Sequence, residues 1–404
     1  MKRIILILFL LAMPAHAQIE YLAGIDEAID IAMRNSSELR AAQARFGVTE
    51  AQVFTANTRL NPVFITENAL ADKNYHVGVQ IIVETAGKRK KRTQAAQIQH
   101  EIVKDQIDTK ILDIKANVRR AYIELYAAQK KKQLAVEMIS LIDSLRQKKM
   151  PQSAETRLEM TRLNAQIELY NAQSQINTAH SSLNEFLGHE LHKDGVLGTP
   201  ELEHNFSDIA ALSEEQHNLN IENLAKIAFE NRPELRLQKN SIELAKKQLE
   251  IAEANRIPNL LLASGPDLSH VLGPLEVSAF IMGAMEIPIF DRQQGPIREA
   301  KAAREHAEKQ YEYETENILS DIKDAYNRIV YNTGLIEKYK NEILPQSHKL
   351  VNSAIESYEK GNQSITLPLE TEESAIKIEY AYIKALSDYQ TAISDLERAI
   401  GRSL

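Results

Sequence analysis

The 404-residue chain contains no cysteine and no tryptophan. Without cysteine there is no disulfide, no thiolate metal site, no cysteine nucleophile and no lipid-modified N-terminal cysteine. Glycine and proline are sparse, at 14 and 12 residues, so long stretches run without the residues that end helices. An excess of positive charge is also lacking. With 48 Lys and Arg against 56 Asp and Glu, the net charge is −8, which excludes the global footprint of a nucleic-acid binder. Beyond the N-terminus no stretch approaches the ~20 apolar residues that a membrane-crossing helix needs. A membrane role would have to be carried by β-strands. No Gly-rich phosphate loop, GxSxG or HExxH is present. His180, His189, His192, His204 and His217 lie in or near one polar stretch without the spacing of a metal site. No catalytic residue, metal ligand or cofactor is therefore assigned.

What is present is led by an export signal. Lys2 and Arg3 precede an apolar run from Ile4 to Met13, and Ala15-His16-Ala17 offers a small-x-small cleavage site. Residues 1–17 are expected to be removed. The rest repeats itself. Asn35-Ser-Ser-Glu38-Leu39-Arg40 matches Asn231-Arg-Pro-Glu234-Leu235-Arg236 at an offset of 196, as Pro62 matches Pro258. Ala121-Tyr122 matches Ala325-Tyr326, Gln152-Ser153 matches Gln363-Ser364, and Leu187-Gly188 matches Ile400-Gly401, at slowly growing offsets. The expected organisation is a first repeat over 18–188, a polar linker over 189–220 and a second repeat over 221–401.

Each half predicts a helix (Ile25–Thr58, Ile221–Arg256), a short segment with turn residues, and a very long helical region. Residues 88–150 contain neither Gly nor Pro and could form one helix of roughly 95 Å. Ile107, Ile111, Ile114, Val118, Ala121, Leu125 and Ala128 follow coiled-coil spacing. Tyr122, Ile123 and Tyr126 add a second apolar side, which suits a stave with a neighbour on each flank. In the second half a helix from Gly295 is expected to be kinked or interrupted at Pro345, ended at Gly361 and followed by a last helix to about Ile400.

The short segments read as hairpins. Over 62–84, Val63–Leu70 and Tyr75–Val83 flank a polar turn. Val77, Val79, Ile81 and Val83 fall on one face, and His76, Gln80 and Glu84 on the other. This is the alternation of an outer-membrane barrel strand; a small soluble hairpin capping the helices is the other reading. In the second half, over 257–290, strands Pro258–Leu262 and Leu275–Phe290 are expected around Gly265-Pro266 and Gly273-Pro274. Four strands cannot close a barrel, and an open edge cannot sit in hydrocarbon. Strands in a membrane would require several chains to share one barrel.

On these residues the chain resembles the TolC-like outer membrane efflux proteins over essentially its whole mature length. The junction Ile287-Pro288-Ile289-Phe290-Asp291-Arg292 before Gly295 has the family's form, and Glu84-Thr85-Ala86-Gly87-Lys88-Arg89 is similar to the heavy-metal, CzcC-like branch. The turn Tyr358-Glu-Lys-Gly361-Asn-Gln-Ser364-Ile365 resembles the family's periplasmic tip. The resemblance implies a mainly α chain with a small membrane β part. Its long antiparallel helices would form a periplasmic α-barrel, and its four strands would join a shared 12-stranded β-barrel. It implies a homotrimer, a periplasmic adaptor (membrane fusion) protein and an inner-membrane pump, RND type for this branch; the number three comes only from the resemblance. It places adaptor docking at Gln152, Ser153, Gly361, Asn362, Gln363, Ser364 and Ile365, and a periplasmic gate at Tyr358 and Glu370. Leu367, Gln363, Pro368 and Met150-Pro151 depart from the family pattern.

The basic run Lys88, Arg89, Lys90, Lys91 and Arg92 opposes the dipole of the helix it begins. Its expected role is contact with anionic headgroups of outer-membrane lipid at the barrel rim; a solvated face is the alternative. The expected function is an export duct from the periplasm or an inner-membrane pump to the outside, for metal cations or small toxic compounds. A channel for type I protein secretion is the alternative, and a periplasmic adaptor or coiled-coil scaffold is the alternative of a different class.

Overall fold

The computed structural model describes residues 24–69, 74–146, 152–187, 220–269 and 276–404. The signal segment, all of the linker but Asn220, and Met150-Pro151 lie outside the described residues. In chain order the elements are α1 (Ile25–Asn35), α2 (Ser37–Asn57), β1 (Val63–Ala69), β2 (Asn74–Val83), α3 (Lys88–Leu145) and α4 (Gln152–Leu187). They continue with α5 (Ile221–Asn231), α6 (Pro233–Ala254), β3 (Leu260–Ser269), β4 (Glu276–Met285), α7 (Gln294–Lys338), a π-helical turn (Tyr339–Ile343), α8 (Leu344–Glu359) and α9 (Thr366–Ile400). The order helix, helix, strand, strand, long helix occurs twice. No described helix is long and apolar enough to cross a membrane.

Each half's first helix is broken, where one unbroken helix was expected. Ser36 and Arg232, equivalent at the offset of 196, both leave the helical region with ψ near 111° and 116°. The second break has a plain cause: Pro233 disfavours helical backbone at the residue before it. The break at Ser36 keeps the same form without a proline. At Pro345 the regular α-helix is interrupted: a π turn over Tyr339–Ile343 comes just before it and α8 follows directly, so the missing proline N–H falls where π hydrogen bonding gives way to α.

The chain forms two compact units, and each draws on both halves of the sequence. The first holds α1, α3 from Ile114, α4, α7 from Val330, the π turn, α8 and α9 as far as Thr391. Its interior is built on heptad spacing. Val118, Ala121, Leu125 and Ala128 are buried on one side of α3, and Tyr122, Ile123 and Tyr126 on the other. On α4, Leu158, Ala165, Ala172 and Ala179 are buried seven residues apart. Alanine at a seam lets helix backbones approach closely, as the stave arrangement needs.

The second unit holds α2, the sheet, α3 up to Asp113, α5, α6, α7 up to Ile329 and the end of α9. The sheet is antiparallel in the order β1-β2-β3-β4. The first hairpin matches the expected strands to within a residue. The second does not: Gly265-Pro266, read as a turn, lies inside β3, with Pro266 opposite Ala279. Two things make this feasible. The ladder to β2 is interrupted opposite Gly265 and Pro266, at Gly78 and Val77, so a missing N–H breaks no bond there. And a Cβ on Gly265 would lie 2.0 Å from the Val77 carbonyl oxygen, so only glycine fits this close approach.

The motif that revealed the repeat holds the second unit together. Arg232 has only 3% of its side chain exposed and bonds Glu234 at 2.9 Å and the Arg398 carbonyl at 3.1 Å. Arg398 is held by Asp113 at 2.6 Å. Arg236 bonds Asp105 at 2.9 Å and Asp108 at 2.6 Å, and Asn240 donates to the other oxygen of the buried Asp105. Glu38, the first-half counterpart of Glu234, pairs with Lys110.

Candidate channel-forming surfaces

The sheet is amphipathic across all four strands. The register puts Phe64, Val79, Ile81, Val83, Leu262, Val277, Ile281 and Met285 on one face, and all of them are exposed, Ile281 by 86%. The opposite face carries a polar row, Glu67, His76, Asp267 and Ser278, one residue from each strand. There His76 Nδ1 lies 3.5 Å from the Asp267 carboxylate, and the imidazole meets Phe280 edge-on with centroids 5.2 Å apart. Both outer edges, β1 and β4, have no neighbour within the sheet.

At the base of β2 the basic run has an unexpected use. Lys88 Nζ donates to the Ile257 carbonyl at 2.6 Å and to Asn259 Oδ1 at 2.7 Å. Lys91 reaches the Glu250 carbonyl near the end of α6, and Arg92 the Ala56 carbonyl at the end of α2, besides pairing with Glu84 at 2.7 Å. The cations that oppose the α3 dipole thus lie near the negative C-terminal ends of α2 and α6. Burial lowers the Lys88 ammonium below the ordinary lysine range, outweighing the nearby carboxylates of Glu84 and Glu286. Three of the five residues expected at a lipid rim are therefore engaged inside the protein. Lys90 is exposed and Arg89 half-buried. Thr85 completes the contact by donating to the Pro258 carbonyl at 2.7 Å.

The tip turn lies in the first unit. Gly361 has a φ of +73°, and the bonds Asn362 N–H to Ser357 carbonyl and Gly361 N–H to Tyr358 carbonyl close α8 in a Schellman motif. Ser364 Oγ accepts from the Thr366 N–H at 3.4 Å at the start of α9. Pro368 proves ordinary here, since it falls in the first turn of α9, where a proline costs nothing. Gln152 opens α4 and is exposed; Asn362, Gln363 and Ser364 are exposed, and Leu367 partly so. Ile365 is buried. It belongs to a cluster with Met138, Ile142, Leu145, Leu158 and Leu369, against which Tyr358 packs. Glu370 forms an ion pair with Arg157 of α4. Sequence reading missed that partner, because nothing local marks a contact across more than 200 residues.

Further along this unit Tyr380 donates to the Lys131 carbonyl at 3.4 Å, and burial pushes its phenol up to about 12. Among the described residues, no three His, Asp or Glu side chains are placed to hold a metal ion.

A mostly helical chain carrying a small antiparallel sheet, apolar on one face and open at both edges, has the form of a subunit of an outer-membrane channel. The comparisons agree. The model of the outer membrane efflux protein family matches residues 224–402. The cobalt-zinc-cadmium resistance protein CzcC of Cupriavidus metallidurans is 20% identical over 389 residues, covering 94% of this chain and 90% of that protein. In fold the chain is similar to the open state of the MtrE outer membrane channel of Neisseria gonorrhoeae, with a TM-score of 0.75 at 17% identity, covering 95% of this chain and 91% of that one. It is similar also to the outer membrane protein VceC of Vibrio cholerae, with a TM-score of 0.73 at 15% identity, covering 94% and 96%. Over residues 224–402, and in its fold, the chain is similar to outer membrane efflux proteins.

Proposed function

We propose that the chain is the outer-membrane channel subunit of a tripartite efflux system: a homotrimer with a shared 12-stranded barrel, a long periplasmic helical duct, a periplasmic adaptor and an RND-type inner-membrane pump. The observation that carries the reading is the sheet. It exposes an apolar face suited to lipid, yet its edges bear unpaired backbone groups that cost several kcal/mol each in hydrocarbon. Only other copies of the chain can supply twelve strands in multiples of four. The proposed cargo is metal cations. It is supported by the likeness to CzcC and by the junction Glu84–Arg89; the polar row Glu67, His76, Asp267, Ser278 would then face the duct.

The proposed adaptor-docking tip is Gln152, Ser153 and Gly361–Ile365, supported by the tight exposed turn at Gly361. Of the proposed gate residues, Tyr358 packs on an apolar cluster and Glu370 pairs with Arg157. Exposed ion pairs contribute only ~0–1 kcal/mol, so the gate would rest chiefly on the packing. For lipid headgroups the proposal narrows to Arg89 and Lys90.

Two measurements test the reading. Protein extracted from outer membranes should require detergent and have the mass of three chains; a soluble monomer would overturn it. Deleting the gene should lower the tolerated concentration of cobalt, zinc or cadmium. Loss of a secreted polypeptide from the medium, with cation tolerance unchanged, would instead favour type I secretion.

A further inference from the structure

One row of the sheet carries more than its alternation requires. Glu67, His76, Asp267 and Ser278 stand opposite one another, one from each strand, at a single height on the polar face. Neighbouring strands lie about 5 Å apart, so side chains of one row meet. Asp267, between His76 and Ser278, uses its two oxygens differently. Its Oδ2 accepts from Ser278 Oγ at 3.4 Å. Its Oδ1 faces His76 Nδ1 at 3.5 Å. Those last two atoms are screened from solvent, yet neither hydrogen-bonds any group among the described residues. Their side chains stay partly exposed, at 29% and 23%, so the pair can be reached.

A screened nitrogen and a screened carboxylate oxygen without partners call for an explanation, and an ion is one such. The spacing fits it. Two ligands held about 2.0–2.1 Å from one tetrahedral zinc stand about 3.4 Å apart. Imidazole nitrogen suits zinc and its transition-metal neighbours, whereas magnesium prefers oxygen and water. The imidazole is also held in place. Phe280 reaches it from β4, two strands away, and meets it edge-on with centroids 5.2 Å apart. Glycine makes room for that ring: Phe280 stands opposite Gly265, and a Cβ on Gly78 would lie 2.8 Å from its Cζ.

The ligand set stops at two. Among the described residues no third His, Asp or Glu completes it, although Glu67 stands next to His76 in the row. Water would fill the other positions. A resident zinc centre takes three or four protein ligands; two make a site that fills and empties quickly. A conducting path needs that, because a cation held too tightly does not leave.

We infer that His76 and Asp267 form a cation-binding station in the duct, which takes up zinc, cobalt or another divalent cation that accepts nitrogen and releases it outward. The inference rests on the channel reading above, in which the polar row faces the duct, and it names where the cargo touches the barrel. With three chains around one barrel the station occurs three times at one height.

The test titrates the detergent-extracted oligomer with zinc chloride or magnesium chloride by calorimetry, and records its potassium current across a planar bilayer as each salt is added. The wild type should bind one more zinc per chain than His76→Gln or Asp267→Asn. Zinc should reduce its current at a concentration at least about tenfold lower than in either variant, the smaller end of what disturbed metal ligation costs. Magnesium should act equally on all three proteins. Equal zinc binding and equal block in wild type and both variants, at native oligomer mass, would overturn the station and leave the channel standing. So would a zinc effect lost in Asp267→Asn but kept in His76→Gln, or one that magnesium reproduces, since carboxylate alone would then be the site. A wild type that passes no potassium current would overturn the channel reading; the calorimetry, which needs no current, would still decide whether His76 and Asp267 hold zinc.

Discussion

The first strand-to-helix junction is polar, seated and tied to the opposite half by five hydrogen bonds; the second, at the equivalent place in the repeat, is apolar and exposed. Both descend β-strands into long helices, and both use a left-handed residue before the helix, Ala86 and Gly87 in one and Gln293 in the other. The difference teaches that a duplicated unit need not satisfy itself symmetrically. One copy finds its neighbour inside the chain, and the other leaves its apolar side chains exposed.

The comparison can be broken most forcefully at the helix breaks. Arg232→Ala removes one partner of a buried ionic network and leaves Glu234 uncompensated, with an expected cost of about 3–5 kcal/mol. Ser36→Ala, at the equivalent position, should stay within about 1 kcal/mol. The measurement is the denaturant midpoint of the detergent-solubilised protein, and equal losses would show that the halves share the load. At the junctions themselves, Lys88→Met strands the acceptors on Ile257 and Asn259 and should cost about 1–3 kcal/mol. Arg292→Met, in the exposed junction, should leave the same midpoint unchanged. The glycines should differ in sign. Gly87 has a φ of +68°, so Gly87→Ala should cost about 1–2 kcal/mol. Gly334 lies inside α7 without a left-handed φ and with open space where a Cβ would go, and Gly334→Ala should gain a few tenths to about 1 kcal/mol. The smallest effect is that of pH. The fold lowers the Lys88 pKa, so the extra stability is present above the ordinary lysine value and is lost as pH falls through the lowered one. Wild type should therefore gain melting temperature relative to Lys88→Met as pH is raised toward about 10.4; parallel curves would remove Lys88 from the account.

Much of the fold was legible in the sequence because periodicity is a direct imprint of burial. The heptads of α3 and the alternation of β2 could be read without knowing any partner. What escaped had partners far along the chain. Gly265-Pro266 carries the signature of a turn, yet the close approach of Gly78 and a gap in the ladder admit it to a strand. The basic run looked like a surface feature because the carbonyls it serves, at Ala56, Glu250 and Ile257, belong to helix ends and connections whose proximity only the fold creates. Glu370 likewise has a cation beside it, Arg157, that no local spacing announces. The helix break at Arg232 was missed, although Pro233 is a local signal for it. Its twin at Ser36 has no proline, so only the repeat points to it.

The open edges of the sheet bear on the kinetics of reaching the membrane. A lone chain with unpaired N–H and C=O groups along β1 and β4 is excluded from hydrocarbon by several kcal/mol for each group left bare. Its concentration in the bilayer is therefore negligible, however apolar the face between those edges. Insertion must then follow association, or proceed together with it, and its rate should rise more steeply than linearly with the amount of folded chain awaiting entry.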